Sequence, residues 1–285
     1  MPLPPLPFTP RARRTFLAQS GCGLLAALGA ARFADAAAPV AHVEERPDLA
    51  THFKEAGVRG TWVVLDSGTA KLTVVDRQRA EKRYSPASTF KIPNSLIALE
   101  TGAVKDIDEI LPYGGGTYKR KEWERDMNLR DAIRVSHLPI YRGVARRIGL
   151  ARMNEWIAKL HYGNETLGTE VDQFWVNSKL QISAAEQVRF LMRLAQRSLP
   201  MSTRTQDMVH EITLLEKAPT HALHGKTGWY ETPGFSLGWW VGWVAQANGS
   251  VQSFALNIDM HGEADVAKRI PLGRKLLARM NVLAA

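Results

Sequence analysis

The order of residue patterns along the chain predicts an α/β protein of the α+β kind: one central antiparallel sheet flanked by helices, with an inserted all-helical lobe. Three observations carry this. β-Branched and apolar runs stand near the front of the chain, at 61–65 and 71–75. Further β-rich runs stand near its end, at 221–228, 236–244 and 251–258. Between the two groups, residues 110–220 read mostly as helices with polar loops.

Taken in order, residues 47–57 carry helix signals, with Asp48 near the start and Gly57 as a stop. The runs 61–65 and 71–75 are joined through Asp66-Ser67-Gly68-Thr69, which reads as a hairpin. A helix is expected over 88–100, with Gly102 placed to cap it. In the middle, 146–160 and 184–198 are the clearer amphipathic stretches. The last segment, 263–283, reads as one terminal helix. A cleft between sheet and lobe is the natural place for a site.

The chain has 285 residues, 45% of them hydrophobic, and a formal net charge of +9. That length can bury a large core, and the composition excludes a disordered or collagen-like chain. No apolar run is long enough to span a membrane. Part of the basic excess belongs to residues 1–36, which read as an export signal. Arg11, Arg13 and Arg14 form a basic region, 21–31 is small and apolar, and Ala34-Asp35-Ala36 offers a cleavage site. Arg13-Arg14-Thr15-Phe16-Leu17 also resembles a twin-arginine signal, with an ordinary secretory signal as the alternative. Cleavage would leave residues 37–285 as one catalytic domain in the periplasm. It would remove four arginines and Asp35, lowering the charge by three. It would also remove Cys22, the single cysteine, which excludes a thiol nucleophile and Cys-ligated metal from the mature chain.

Ser88-Thr89-Phe90-Lys91 sets a hydroxyl and an amine three residues apart at a helix start, where the two side chains can meet. A serine hydroxyl becomes a nucleophile when a neighbour takes its proton. With 13 serines and 13 lysines, chance alone supplies roughly 0.6 such spacings, so an N-cap serine with a surface lysine explains this one equally well. Lys226-Thr227-Gly228 is rarer, at roughly 0.06 by chance, and falls on an expected strand before Trp229. There a lysine and hydroxyl can hold a carboxylate, and the glycine admits close approach of a ligand. Tyr162-Gly163-Asn164 is rarer still, at roughly 0.01.

The stretch Tyr84-Ser85-Pro86-Ala87-Ser88-Thr89-Phe90-Lys91-Ile92-Pro93 resembles the class D (oxacillinase-type) serine β-lactamases. So do Tyr162-Gly163-Asn164, Gln173-Phe174-Trp175-Val176, Lys226-Thr227-Gly228-Trp229 and Gly238-Trp239-Trp240-Val241-Gly242-Trp243, together covering nearly the whole of 59–285. The resemblance implies the penicillin-recognising fold and hydrolysis of a β-lactam, with Ser88 attacking the lactam carbonyl. Backbone N–H groups of Ser88 and Trp229 would form the oxyanion hole. Lys91 would be carboxylated by carbon dioxide to N6-carboxylysine and act as general base, with no other cofactor. Trp175 would donate its indole N–H to that carbamate, and Phe90, Leu138, Trp175 and Val176 would supply the apolar pocket. Ser136 would relay a proton between Lys226 and the leaving nitrogen. Thr227, Gly228, Trp229 and Arg269 would bind substrate, although the local spacing allows Lys268 in place of Arg269.

One element departs from the family pattern: Ser136-His137-Leu138 stands where Ser-x-Val is usual. His137 is expected to be exposed and passive. His221 and His224, three apart on a strand, point to opposite faces, so no metal site is expected. The tryptophans 239, 240 and 243 read as a buried strand, and Arg142, Arg146, Arg147 and Arg152 as a solvated helical face. No phosphate loop or clustered basic stripe supports a nucleic-acid partner. Two other readings share the nucleophile: a D,D-peptidase, which usually carries Ser-x-Asn, and a non-enzymatic β-lactam sensor, which needs attached spanning helices. Monomer and homodimer are both compatible with the sequence.

Overall fold

The computed structural model describes Met1, Val40 and residues 42–284. The export signal expected over 1–36 therefore lies outside the described residues. The chain divides into two units, and everything below concerns the second, Ala36–Ala285.

The sheet has seven strands: β1 (His42–Glu45), β2 (Gly60–Asp66), β3 (Lys71–Val75), β4 (Leu214–Lys217), β5 (His221–Thr232), β6 (Phe235–Gln246) and β7 (Val251–Asp259). Their order across the sheet is β1-β3-β2-β7-β6-β5-β4. The strands expected from the sequence pair antiparallel, with Lys226 opposite Val241 and Trp62 opposite Leu256. The sheet is nevertheless mixed, because β1 lies parallel to β3. Neither β1 nor β4 is expected from the sequence. Each has four residues and ends in charge, as short edge strands do, and neither shows an apolar run. The expected hairpin turn is closed by Asp66, whose Oδ1 accepts from the backbone N–H and the hydroxyl of Thr69 at 2.8 and 2.9 Å.

Helices are α1 (Ala50–Glu55), α2 (Arg77–Glu81), α3 (Lys91–Glu100), α4 (Leu129–Arg134), α5 (Leu138–Ile148), α6 (Leu150–Leu160), α7 (Ala184–Ala195), α8 (Thr203–Thr213), α9 (Glu263–Val266) and α10 (Arg269–Arg279). The stretch expected as one helix over 146–160 is two, because Gly149 takes φ +82 between α5 and α6. The terminal helix likewise breaks at Ala267–Lys268 and ends at Arg279. α7 starts where a capping box fixes it: the Ser183 hydroxyl accepts from the Glu186 N–H while the Glu186 carboxylate accepts from the Ser183 N–H.

Both faces of the sheet are buried, so its central strands read as near-continuous apolar runs. The period of two sorts β6 between them. Trp239, Val241 and Trp243 face the core shared with the helical lobe and α7, whereas Trp240 and Val244 face the core closed by α1 and α10. The expected burial of all three tryptophans is what the structure shows.

Candidate active site

Ser88 sits in a 3-10 turn, Ala87–Phe90, that runs directly into α3 at Lys91. The helix expected from residue 88 therefore opens with a tighter turn. Its geometry brings the Lys91 side-chain nitrogen Nζ to 2.9 Å from the Ser88 hydroxyl oxygen Oγ. Lys91 is 1% exposed, below the ring of Tyr141, with Nζ 5.2 Å from the ring centroid. Burial holds its pKa well below the usual lysine range, and the positive charges of Lys226, Arg120 and Arg142 act in the same direction. The residue therefore favours the neutral amine.

Lys226 lies on β5 and is 6% exposed. Its Nζ donates to Ser136 Oγ and to the Thr227 carbonyl, each at 3.1 Å. Burial, helped by Arg269 and Arg120, lowers its pKa to about 7. Ser136 occupies the joint between α4 and α5 with φ +57, a conformation that costs a non-glycine residue energy and turns its hydroxyl toward Lys226.

His137 corrects an expectation, since it is buried, not exposed. It is the N-cap of α5, its Nδ1 accepting from the Ile140 N–H at 3.2 Å, while Nε2 donates to the Trp123 carbonyl at 2.8 Å. Those two bonds fix one neutral tautomer, and its ring stacks on Trp123 at 5.7 Å. Leu138, the next residue, is half-buried in the cleft wall with Val176.

The rare Tyr162-Gly163-Asn164 element serves the loop that carries Trp175. Gly163 has φ +61, and a Cβ there would stand 2.1 Å from the Gln181 carbonyl oxygen. Asn164 clamps the two ends of the loop: its amide donates to the Lys179 carbonyl, and its Oδ1 accepts from the Gln181 N–H, both at 2.9 Å. Within the loop, the Trp175 carbonyl accepts from the Ser85 hydroxyl at 2.7 Å and the Ala87 N–H at 3.1 Å. The Trp175 ring stacks on Phe90 at 5.5 Å. Its indole N–H is buried and has no acceptor among the described residues.

β5 and α10 form the remaining wall. A Cβ on Gly228 would meet the Pro86 carbonyl at 3.0 Å and the Thr89 methyl at 3.1 Å, tighter than ordinary contact, so glycine eases the close approach of the strand to the serine turn. The Arg269 guanidinium is 8% exposed and donates to the Gly228 carbonyl at 2.6 Å and the Val266 carbonyl at 2.9 Å. Burial lowers its pKa to about 10. Lys268, the alternative allowed by spacing, pairs instead with Asp265 at 2.7 Å and lies outside the cleft wall. The Trp229 indole donates to Ser236 Oγ at 2.9 Å.

These elements enclose a cleft of about 540 Å³, lined among others by Ser88, Ser136, Thr227, Gly228, Trp229 and Arg269. Arg120, Trp123 and Arg134 also line it and were not anticipated. They sit in polar or helical stretches whose composition resembles any surface. Arg142 is a further correction: it is half-buried, donates to Gln173 Oε1 at 2.9 Å, and so ties α5 to the Trp175 loop. Arg146 and Arg147 remain on the exposed face, paired with Asp172 and Glu109. His221 and His224 go to different partners, Glu216 and the Trp243 ring.

The profile of the penicillin binding protein transpeptidase domain matches residues 55–278. β-Lactamase OXA-5 of Pseudomonas aeruginosa is 38% identical over 236 residues, spanning 81% of this chain and 87% of its own length. β-Lactamase OXA-48 of Klebsiella pneumoniae is 35% identical over 240 residues, with 84% and 90% covered. The crystal structure of FUS-1 (OXA-85), a class D β-lactamase from Fusobacterium nucleatum subsp. polymorphum, superposes with a TM-score of 0.81 at 40% identity. It covers 84% of this chain and 100% of that one.

Proposed function

The chain belongs to the class D serine β-lactamases and is a β-lactam hydrolase; from that premise we propose that Ser88 carries the acyl group and a carboxylated Lys91 is the base. One observation carries the proposal: a buried amine, its pKa lowered well below the usual lysine range, stands 2.9 Å from the serine, on a turn packed against an indole whose N–H has no acceptor among the described residues. A neutral amine can bond carbon dioxide through its lone pair and release a proton. The resulting carboxylate would supply a base for Ser88 and an acceptor for the Trp175 N–H.

The other side chains then divide the work. Ser88 attacks the lactam carbonyl, and backbone N–H groups of Ser88 and Trp229 receive the charge that develops on its oxygen. Lys226, with a pKa of about 7, holds and releases protons near neutrality, and Ser136 passes one to the leaving nitrogen. Arg269, with Thr227 beside it on the cleft wall, binds the carboxylate that penicillin-type substrates carry. Leu138 lines the space near the serine and narrows it by one methylene relative to valine. We further propose that residues 1–36 are an export leader and 37–285 the mature periplasmic domain, which N-terminal sequencing of the secreted product would check.

The test is carbon-13 bicarbonate. A carbamate resonance should appear in the wild-type chain and not in Lys91→Ala, and turnover should fall when bicarbonate is stripped and return with it. Full turnover on an unlabelled, unmodified Lys91 would falsify the proposed base.

A further inference from the structure

Adjoining the catalytic cleft along β5 lies a second cavity, of about 330 Å³. The two share Arg134 and Thr227 as wall residues. Gly225 forms the floor of this cavity, and Lys226, whose Nζ reaches Ser136, also lines it. Its walls are apolar, from Ile133, Ile212, Leu214, Leu215, Trp240 and Ile270. Leu215 and Ile270 are 53% and 41% exposed, placing two of the few exposed large apolar side chains among the described residues on its rim.

The cavity also holds an unanswered donor. Trp240 is wholly buried, yet its Nε1–H has no acceptor among the described residues. The neighbouring buried indole of Trp239 does find one, the Ser85 carbonyl at 2.9 Å. A Cβ on Gly225 would stand 3.2 Å from Trp240 Nε1 and 3.0 Å from Leu215 Cδ1. Glycine therefore leaves room beside the N–H, bounded by the Val241 carbonyl and the exposed Leu215 side chain. An unpaired buried donor costs stability, which an acceptor on an entering molecule would return. The basic residues lining the cavity are Arg134 and Lys226, and no carboxylate lines it.

We propose that this cavity is a second ligand site, taking a compact aromatic carboxylate that displaces Leu215 and accepts from Trp240 Nε1–H. Because Thr227 and Arg134 belong to both cavities, a bound molecule presses on the strand that aims Lys226 at Ser136. Occupancy then lowers kcat without competing for the cleft.

The probe is 2-naphthoate, titrated into nitrogen-15-labelled full-length mature protein while the indole N–H resonances are followed. The Trp240 resonance, assigned with Trp240→Phe, should move saturably. Trp240→Phe, which keeps the ring and deletes the donor, should weaken naphthoate binding by about tenfold or more by calorimetry. Leu215→Trp, which plugs the rim from an exposed position, should abolish binding while turnover without naphthoate stays unchanged. A stationary Trp240 resonance overturns the proposal. So does a moving Trp229 resonance with purely competitive inhibition, which would put naphthoate in the catalytic cleft, and so does undiminished affinity in Leu215→Trp.

Discussion

Two buried cationic regions of this molecule are built on opposite rules. At the end of the central strand β7, Arg79 is largely buried and fully answered: Nε donates to Asn257 Oδ1 at 2.7 Å and the guanidinium pairs with Asp259 at 2.8 Å. In the cleft, Lys91, Lys226 and Arg269 are as deeply buried, and the hydrogen-bond partners described for them are neutral oxygens of serines and backbone carbonyls. The carboxylates on the cleft wall, Glu122 and Glu231, are exposed, and Glu122 turns to Arg120. A buried cation without a counter-ion destabilises a fold unless it surrenders its proton. The contrast shows a region that contributes stability beside one that sacrifices it for a neutral amine and a field favouring anions.

Removing the base should separate the two most sharply. Lys91→Met should lower kcat/KM by about 10²–10⁴, the range for a lost general base, with no fall in melting temperature. A variant that melts early and keeps its turnover would erase the distinction. Arg269→Ala should follow at about 10–100-fold in kcat/KM, expressed mainly in KM for substrates that carry the carboxylate, as loss of a charge-assisted bond dictates. Arg79→Met should do the reverse, costing about 1–3 kcal/mol of stability while kcat holds, because Asp259 and Asn257 lose their donor. Denaturant titration and steady-state rates on the same preparations check both.

Much of the cleft was legible in the sequence because its chemistry is carried by short contiguous motifs. Ser88 and Lys91 lie on one turn, and Lys226, Thr227 and Gly228 on one strand, so local spacing already fixes their geometry. The central strands were legible because burial on both faces makes them apolar throughout. What escaped depends on contacts between distant segments. His137 reads as a polar residue at a helix start, yet its Nε2 reaches the Trp123 carbonyl and its ring stacks there. Arg142 shares a basic stretch with Arg146 and Arg147, and only the packing of α5 against the Trp175 loop sets it apart. β1 owes its existence to the neighbouring edge of β3, which its own charged residues do not announce.

The remaining effects are in pH, where the two kinds of buried base titrate in different windows. Lys226 has a folded pKa of about 7 against an ordinary 10.5. Between those values the unfolded chain binds a proton that the folded chain does not, so stability rises with pH across the window. Lys226→Met should therefore be the more stable protein at pH 7, by on the order of 1–4 kcal/mol, with the advantage fading toward pH 10.5. His224 lies in the apolar core on the Trp243 ring, centroids 4.5 Å apart, and burial together with His210 lowers its pKa to about 4. The same sign places its effect on the acid side: the unfolded imidazole takes a proton below about 6.5, the folded one only below about 4. Stability should fall as pH drops through that interval. His224→Phe keeps the stack and loses the bond to the His210 carbonyl, so it should start about 1 kcal/mol lower at pH 7. It should then show a shallower decline to pH 4 in thermal melts. An equally steep acid limb in the variant would assign that limb to other groups and leave the cleft lysines as the buried bases whose protons are felt in folding.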